Sequence, residues 1–237
     1  MKSSFTIIVP VYNEEENLIR LENELVSYVK DALINTSVLF VNDGSTDNSL
    51  AFIEDICHRQ DTFNYISLKQ NSGLSTALKA GFDTVKSDLV GYIDADLQTD
   101  PNDFNLLLPY TNNYQLVTGV RLERQDSLIK RLSSKFANGF RKLFTNDGID
   151  DTGCPLKIIH TAYAKRIPMF RGLHRFLPAM ILLHNGNVKQ VPVKHFPRLA
   201  GNSKYSVKNR FFGPFLDCFA YLWMKRKYIN YHIDKRS

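Results

Sequence analysis

The sequence predicts an α/β fold, a largely parallel sheet covered by helices on both faces, over roughly residues 1–120. Three observations point there. Short β-branched, apolar runs alternate with longer stretches whose apolar residues recur at helical spacing. Three polar clusters, "YNEEE", "NDGSTD" and "DADLQTD", each fall just after one of the short runs. A length of 237 residues with 43% apolar content suits one sizeable core better than two large domains.

The elements follow in order. Residues 5–11 read as a strand, and Leu18, Leu21, Leu25, Val29 and Leu33 give the next segment a helical apolar stripe. "SVLFVNDGSTDNSLAFIEDI" repeats the unit, with a strand to about Val41 and a helix capped by Ser45, Thr46 or Asp47. "FNYISL" is a short strand, and "GLSTALKAGFDTV" a helix with Leu74, Ala77, Leu78, Gly81 and Phe82 on one face. "DLVGYID" is a strand ending on acids, after which Asp100 caps and Pro101 opens the helix "PNDFNLLLPY". Beyond "QLVTGVR" (115–121) the pattern loosens: a basic amphipathic helix over 127–144, a loop "NDGIDDTGC", a strand in "NVKQVPVKHFPRL", a polar loop "AGNSKYS", and a final helix from Val207.

Several classes of protein are disfavoured by composition. Cys57, Cys154 and Cys218 are odd in number and widely spaced, which suggests neither a disulfide framework nor a zinc site, and favours a reducing, cytosolic setting. The first strand begins too soon after Met1 to leave room for a signal peptide. "FFGPFLDCFAYLWM" (211–224) is 14 residues long and contains Pro214 and Asp217, too short to span a bilayer. The net charge of +6 is uneven: residues 189–237 carry eleven Lys or Arg against Asp217 and Asp234. Such a tail, interleaved with aromatics, suits a nucleic acid, anionic headgroups or a phosphorylated substrate, and is equally consistent with a solvated charged face.

In a doubly wound sheet, ligands bind beyond the carboxyl ends of the strands, so the three polar clusters should converge on one site. Asp94 and Asp96 lie two apart just past a strand end, where both can face one hard cation such as Mg²⁺ or Mn²⁺, and Gln98 can add an oxygen. Tyr12 and Glu14 offer a ring and a carboxylate to a base or ribose, and Asp43 an acceptor. Each cluster taken alone is better explained by surface acids, helix-terminus charges and turn residues.

Together, "IIVPVYNEEENL", "VNDGSTDNS", "NSGLSTALKAGF", "YIDADLQTDP", "VTGVR", "KRLSS", "DTGC" and "PRLAGNSKYS" resemble, in order and approximate spacing over residues 5–210, family 2 glycosyltransferases of GT-A fold. Among these the chain looks most like dolichyl- and polyprenyl-phosphate sugar transferases. The resemblance implies a Rossmann-like GT-A domain over residues 1–206; residues 207–237, where many relatives carry spanning helices, read instead as a basic, aromatic-rich helical segment for a membrane interface or a docking partner. It places Pro10, Tyr12, Glu14 and Asp43 around the donor's base and ribose, and Asp94, Asp96 and Gln98 on a Mg²⁺ or Mn²⁺ at the diphosphate. Arg198 and Lys204 would close over that diphosphate, while Arg121, Arg131 and Ser134 match the acceptor-phosphate region. One departure is Asn42, where the family often has a second Asp.

The expected reaction is metal-dependent, inverting transfer of a sugar from a UDP- or GDP-sugar to a polyprenyl phosphate at the cytosolic membrane face, with Asp96, Arg121, Arg131 and Asp151 nearest the chemistry. No nucleic-acid partner is expected. Transfer to a sugar hydroxyl is the main rival, and would need a general base, Asp150 or Asp151. A catalytically silent nucleotide-sugar-binding protein is another; a haloacid-dehalogenase-like hydrolase is disfavoured because Gln98 stands where such motifs carry Thr or Val. The C-terminal helix has three possible contacts: anionic lipid, a separate membrane protein, or the domain's own core.

Overall fold

The computed structural model describes residues 3–121, 139, 141–197, 207–229 and 234–235. Seven strands form one sheet in the order β3-β2-β1-β4-β6-β5-β7: β1 Ser4–Val11, β2 Asn35–Asn42, β3 Phe63–Ser67, β4 Leu89–Tyr92, β5 Leu116–Arg121, β6 Lys157–His160 and β7 Val188–Val193. All neighbours are parallel except β6, which runs antiparallel to both β4 and β5. The sheet therefore extends past residue 120, and β6, a strand the sequence pattern did not reveal, joins its two halves.

Alternation along β1 explains the layering. Phe5, Ile7, Val9 and Val11 point to one face and pack with helices α1 (Glu15–Asp31) and α2 (Ser49–Arg59). Ile8 points to the other, against α3 (Leu74–Thr84). There α5 (Thr161–Arg166), α6 (Leu177–Leu183) and α7 (Val207–Lys227) complete the layer, while α4 (Phe104–Leu107) lies on the first face. Gly81 of α3 is needed for that contact, since a Cβ there would lie 2.6 Å from Ile8 Cδ1.

Two local expectations are corrected. Helix α1 ends at Asp31, so Leu33 falls beyond its apolar stripe and is 63% exposed. Helix α2 begins at Ser49, later than a cap at Ser45 or Thr46 requires; Asp47 still acts at its start, accepting from the Ser49 amide at 3.0 Å. Asp100 does cap the turn Pro101–Asp103, accepting from the Asn102 amide at 2.8 Å.

Helix α7 packs on the domain through one side. Cys218 and Tyr221 are buried in the core of the second face, Tyr221 stacks on Phe176 at 5.5 Å, and Asp217 faces Arg175 at 3.7 Å. Among the described residues, no helix is long and apolar enough to cross a membrane.

Candidate active site

The carboxyl edges of β1, β2 and β4 carry the three polar clusters, as parallel strands require. The first two brace each other. Asn13, at φ 51°, donates its amide to Ser45 Oγ and accepts from the Thr46 amide, while the Glu14 amide donates to Ser49 Oγ. Asn tolerates this left-handed backbone because its short side chain bonds locally. Tyr12 and Glu14 thus sit half-buried on a fixed loop beyond Pro10, with Glu14 accepting from Asn17 Nδ2 at 2.6 Å.

Asp43 is buried and largely engaged by its own chain. Its carboxylate accepts from the Ser72 and Gly73 amides, both at 2.8 Å, and from Asn71 Nδ2 at 3.0 Å. A carboxylate offers about four acceptor positions, so roughly one remains for a ligand. The neighbouring Gly44, at φ +67°, lets the 70–73 loop approach: a Cβ there would lie 2.4 Å from the Gln70 carbonyl carbon. Asn42 is also accounted for, donating to Ser67 Oγ and accepting from the Ser45 amide.

Past β4 the chain turns sharply, with Leu97 at φ 51°, and Asp96 Oδ1 accepts from the Gln98 amide at 3.2 Å. Asp96 is buried, and Asp94 and Gln98 half-buried. The segment after β7 closes on this turn: His195 Nδ1 donates to the Gln98 carbonyl at 3.0 Å, and the Phe196 amide donates to the same oxygen at 2.9 Å. Only Nδ1–H can satisfy a carbonyl, so a neutral His195 carries its acceptor lone pair on Nε2. Two carboxylates and a side-chain amide on one turn are hard oxygen donors, the chemistry that suits a cation such as Mg²⁺ or Mn²⁺. Among the described residues, no three His, Cys, Asp or Glu side chains converge as a self-sufficient metal cage.

On the far side of β6, Arg121 at the end of β5 is clasped by Asp151. Its Nε donates to Oδ2 at 2.7 Å and Nη2 to Oδ1 at 2.8 Å, with both side chains nearly buried. Gly153 gives room for this, since a Cβ there would come within 3.0 Å of Nη2. Asp150 instead faces Lys142, whose hydrogen bond holds its carboxyl below the usual range. Two strand spacings, roughly 10 Å, separate β4 from β5.

Between them lies a residue that sequence reading missed. Lys157 of β6 is fully buried, its Nζ bonded to Tyr92 Oη at 3.3 Å, the Thr152 carbonyl at 3.3 Å and the Cys154 carbonyl. Burial disfavours its charged form and pulls its pKa down, and also pushes the Tyr92 phenol up. Lys157 ties the strand that ends on the acids to the loop that holds Asp151. Arg131, Ser134, Arg198 and Lys204 lie outside the described residues. A cleft of about 600 Å³ sits at the opposite edge of the sheet beside Ser4, Thr6 and Ser87, away from every acid discussed.

An open α/β sheet with paired acids at the carboxyl edge and an arginine two strands away defines a GT-A class of domain. Solved structures share the fold. Glucosyl-3-phosphoglycerate synthase from Mycobacterium tuberculosis, crystallised with Mn²⁺, UDP and glucosyl-3-phosphoglycerate, matches with a TM-score of 0.73 at 14% identity, covering 94% of this chain and 80% of that one. A mannosyltransferase from Pyrobaculum calidifontis, solved with GDP-Man and Mn²⁺, matches at 0.69 and 16% identity, covering 93% and 64%. The glycosyl transferase family 2 model matches residues 6–168, and the chain belongs to that family. Its relatives include the undecaprenyl-phosphate 4-deoxy-4-formamido-L-arabinose transferase of Shewanella sediminis, 33% identical over 209 residues, covering 86% of this chain and 62% of the relative. The dodecaprenyl-phosphate galacturonate synthase of Rhizobium johnstonii is 29% identical over 231 residues, covering 93% and 67%. This chain thus spans about three fifths to two thirds of the length of these relatives.

Proposed function

We propose that the chain is an inverting glycosyltransferase that moves one sugar from a UDP- or GDP-sugar to a polyprenyl phosphate. The observation that carries this reading is the pairing, on one sheet edge, of the oxygen-donor turn Asp94–Gln98 with the clasped guanidinium of Arg121. The first suits a donor diphosphate and the second an acceptor phosphate. The relatives named above act on undecaprenyl and dodecaprenyl phosphates, which supports a lipid phosphate as acceptor.

In this reading Pro10, Tyr12 and Glu14 flank the nucleoside, and Asp43 fixes the 71–73 loop while offering its remaining acceptor position. Asp94, Asp96 and Gln98 would hold Mg²⁺ or Mn²⁺, which when bound neutralises charge building on the leaving diphosphate. Arg198 and Lys204 would add positive charge there, and Arg131 and Ser134 would join Arg121 on the acceptor. An acceptor-phosphate oxygen attacks the anomeric carbon, the bond to the diphosphate oxygen breaks, and the nucleoside diphosphate departs with the electron pair. The second phosphate pKa is about 6, so near neutral pH the nucleophile needs positioning by Arg121 rather than deprotonation. The isoprenoid tail sets the reaction at a membrane surface, read as the cytosolic face.

Transfer to a sugar hydroxyl fits the geometry less well. It requires a free carboxylate base, whereas Asp151 is clasped by Arg121 and Asp150 is held acidic by Lys142. The test is incubation with polyprenyl phosphate, Mg²⁺ or Mn²⁺, and a panel of UDP- and GDP-sugars. Appearance of a lipid-linked sugar with at least one donor is expected, and failure with every donor sinks the proposal.

A further inference from the structure

Helix α7 is apolar on two opposite sides. Cys218 and Tyr221, three residues apart, face the core, as Met224 does in part. Leu216, Phe219 and Trp223, spaced i, i+3 and i+7, form a stripe on the other side and are 63%, 48% and 69% exposed. Phe215 widens the stripe and meets Phe219 edge-on at 5.2 Å. Phe219 in turn meets Phe144 at 5.4 Å, from the helical segment 141–145, whose neighbour Leu143 is 81% exposed. The outward apolar face is therefore built from two separate parts of the chain.

This face is anchored and flanked by charge. Arg141 is buried and bonds to Asp147 and to the Ile149 carbonyl at 2.9 Å, which fixes the chain that follows Phe144. Lys225, Arg226 and Lys227 close the last turn of α7, while Asp217, the acid of that helix, is turned inward towards Arg175. A face of aromatic and aliphatic residues ending in three cations, on a helix not long and apolar enough to span a bilayer, has the composition of a segment lying in a lipid interface.

We propose that Leu143, Phe215, Leu216, Phe219 and Trp223 insert into an anionic lipid surface, with Lys225, Arg226 and Lys227 on the headgroups. The core side of α7 stays packed on the domain, so one helix serves both contacts. This inference builds on the lipid-phosphate reading: docking through Leu143 would bring to the lipid surface the segment that Arg141 ties to Ile149, two residues before Asp151.

Trp223 is the one tryptophan of the chain, so its emission reports the contact directly. The full chain is mixed with phosphatidylcholine vesicles, with and without phosphatidylglycerol, and with brominated acyl chains as quenchers; nucleotide sugar and polyprenyl phosphate are absent. The expected result is a blue shift and bromine quenching with the anionic vesicles, weakened by salt. Replacing Lys225, Arg226 and Lys227 by Ala should reduce partitioning roughly fivefold per residue, on the order of 100-fold together. Leu216→Glu, at an exposed site that leaves the circular dichroism unchanged, should also reduce it. Unchanged Trp223 emission with both vesicle types overturns the proposal. So does a blue shift that depends on protein concentration without lipid, which would assign the face to a second copy. Transfer to a short-chain, detergent-soluble acceptor is measured separately: transfer without docking defeats only this inference, and docking without transfer defeats only the proposed function.

Discussion

Asp151→Asn removes a charge from a pair that is nearly out of water. The side chains of Arg121 and Asp151 are only 12% and 9% exposed, and the pair is bidentate at 2.7 and 2.8 Å. Breaking a buried pair by neutralising one partner costs about 3–5 kcal/mol, because the other charge stays desolvated. Asn keeps the shape and one acceptor, which points to the lower end, about 3 kcal/mol. For a chain of this size that corresponds to a fall in melting temperature of roughly 6–12 °C. Urea unfolding should show the midpoint shifted at unchanged slope. Replacing both partners, Arg121→Met with Asp151→Leu, should recover stability to within about 1 kcal/mol of the parent, since apolar substitutes no longer strand a charge. A single variant within about 0.5 kcal/mol of the parent would refute the claim that the pair is desolvated. The same variant reports on chemistry. A general base contributes about 10²- to 10⁴-fold, so a kcat within about tenfold of the parent fits a clasp for Arg121, and a larger collapse with donor binding intact fits a sugar-hydroxyl acceptor.

Other consequences are equally specific. Asp96→Ala should abolish metal-dependent turnover while the circular dichroism stays that of the folded chain; a fully active variant would remove Asp96 from the metal set. Gly44→Ala combines a left-handed backbone with a Cβ 2.4 Å from Gln70, and should cost at least about 2 kcal/mol in urea unfolding. His174 Nδ1 shares a 2.8 Å hydrogen bond with Ser75 Oγ, which accepts from the Gly172 amide, and burial pulls the His174 pKa down to about 3. The unfolded chain then binds the extra proton first, so stability should fall as pH drops from about 6.5 towards 3, by roughly 1.4 kcal/mol per unit. His174→Gln should flatten that limb of the pH–stability profile, and an unaltered slope would contradict a buried neutral imidazole.

Much of this architecture is legible in the sequence because its first half is locally consistent. Residues 5–92 repeat strand and helix with clear periodicity, and their polar clusters fall at strand ends where a parallel sheet needs ligand groups. Asp100 and Pro101 announce a helix start by chemistry alone. The second half is held by tertiary contacts instead. Strand β6 is four residues, "KIIH", too short for any periodicity to be decisive, and its lysine reads as a solvent-facing residue. Only the Tyr92 hydroxyl and two loop carbonyls, brought together by the fold, explain why Lys157 is buried. His195 was missed for a similar reason: its role comes from the Gln98 carbonyl, 97 residues away in sequence. Leu33 shows the opposite error, a residue in phase with a helix that has already ended. Asp43 and Asp151 were recognisable as site-edge acids, but sequence carries no signal that Ser72, Gly73 and Arg121 engage them.

The most direct measurement is the anomeric configuration of the product. With polyprenyl phosphate, Mn²⁺ and the donor that supports turnover, nuclear magnetic resonance of the isolated lipid-linked sugar should show the configuration opposite to that of the nucleotide sugar, as direct attack by the acceptor phosphate requires. A retained configuration, or free sugar in place of a lipid-linked product, would contradict the account.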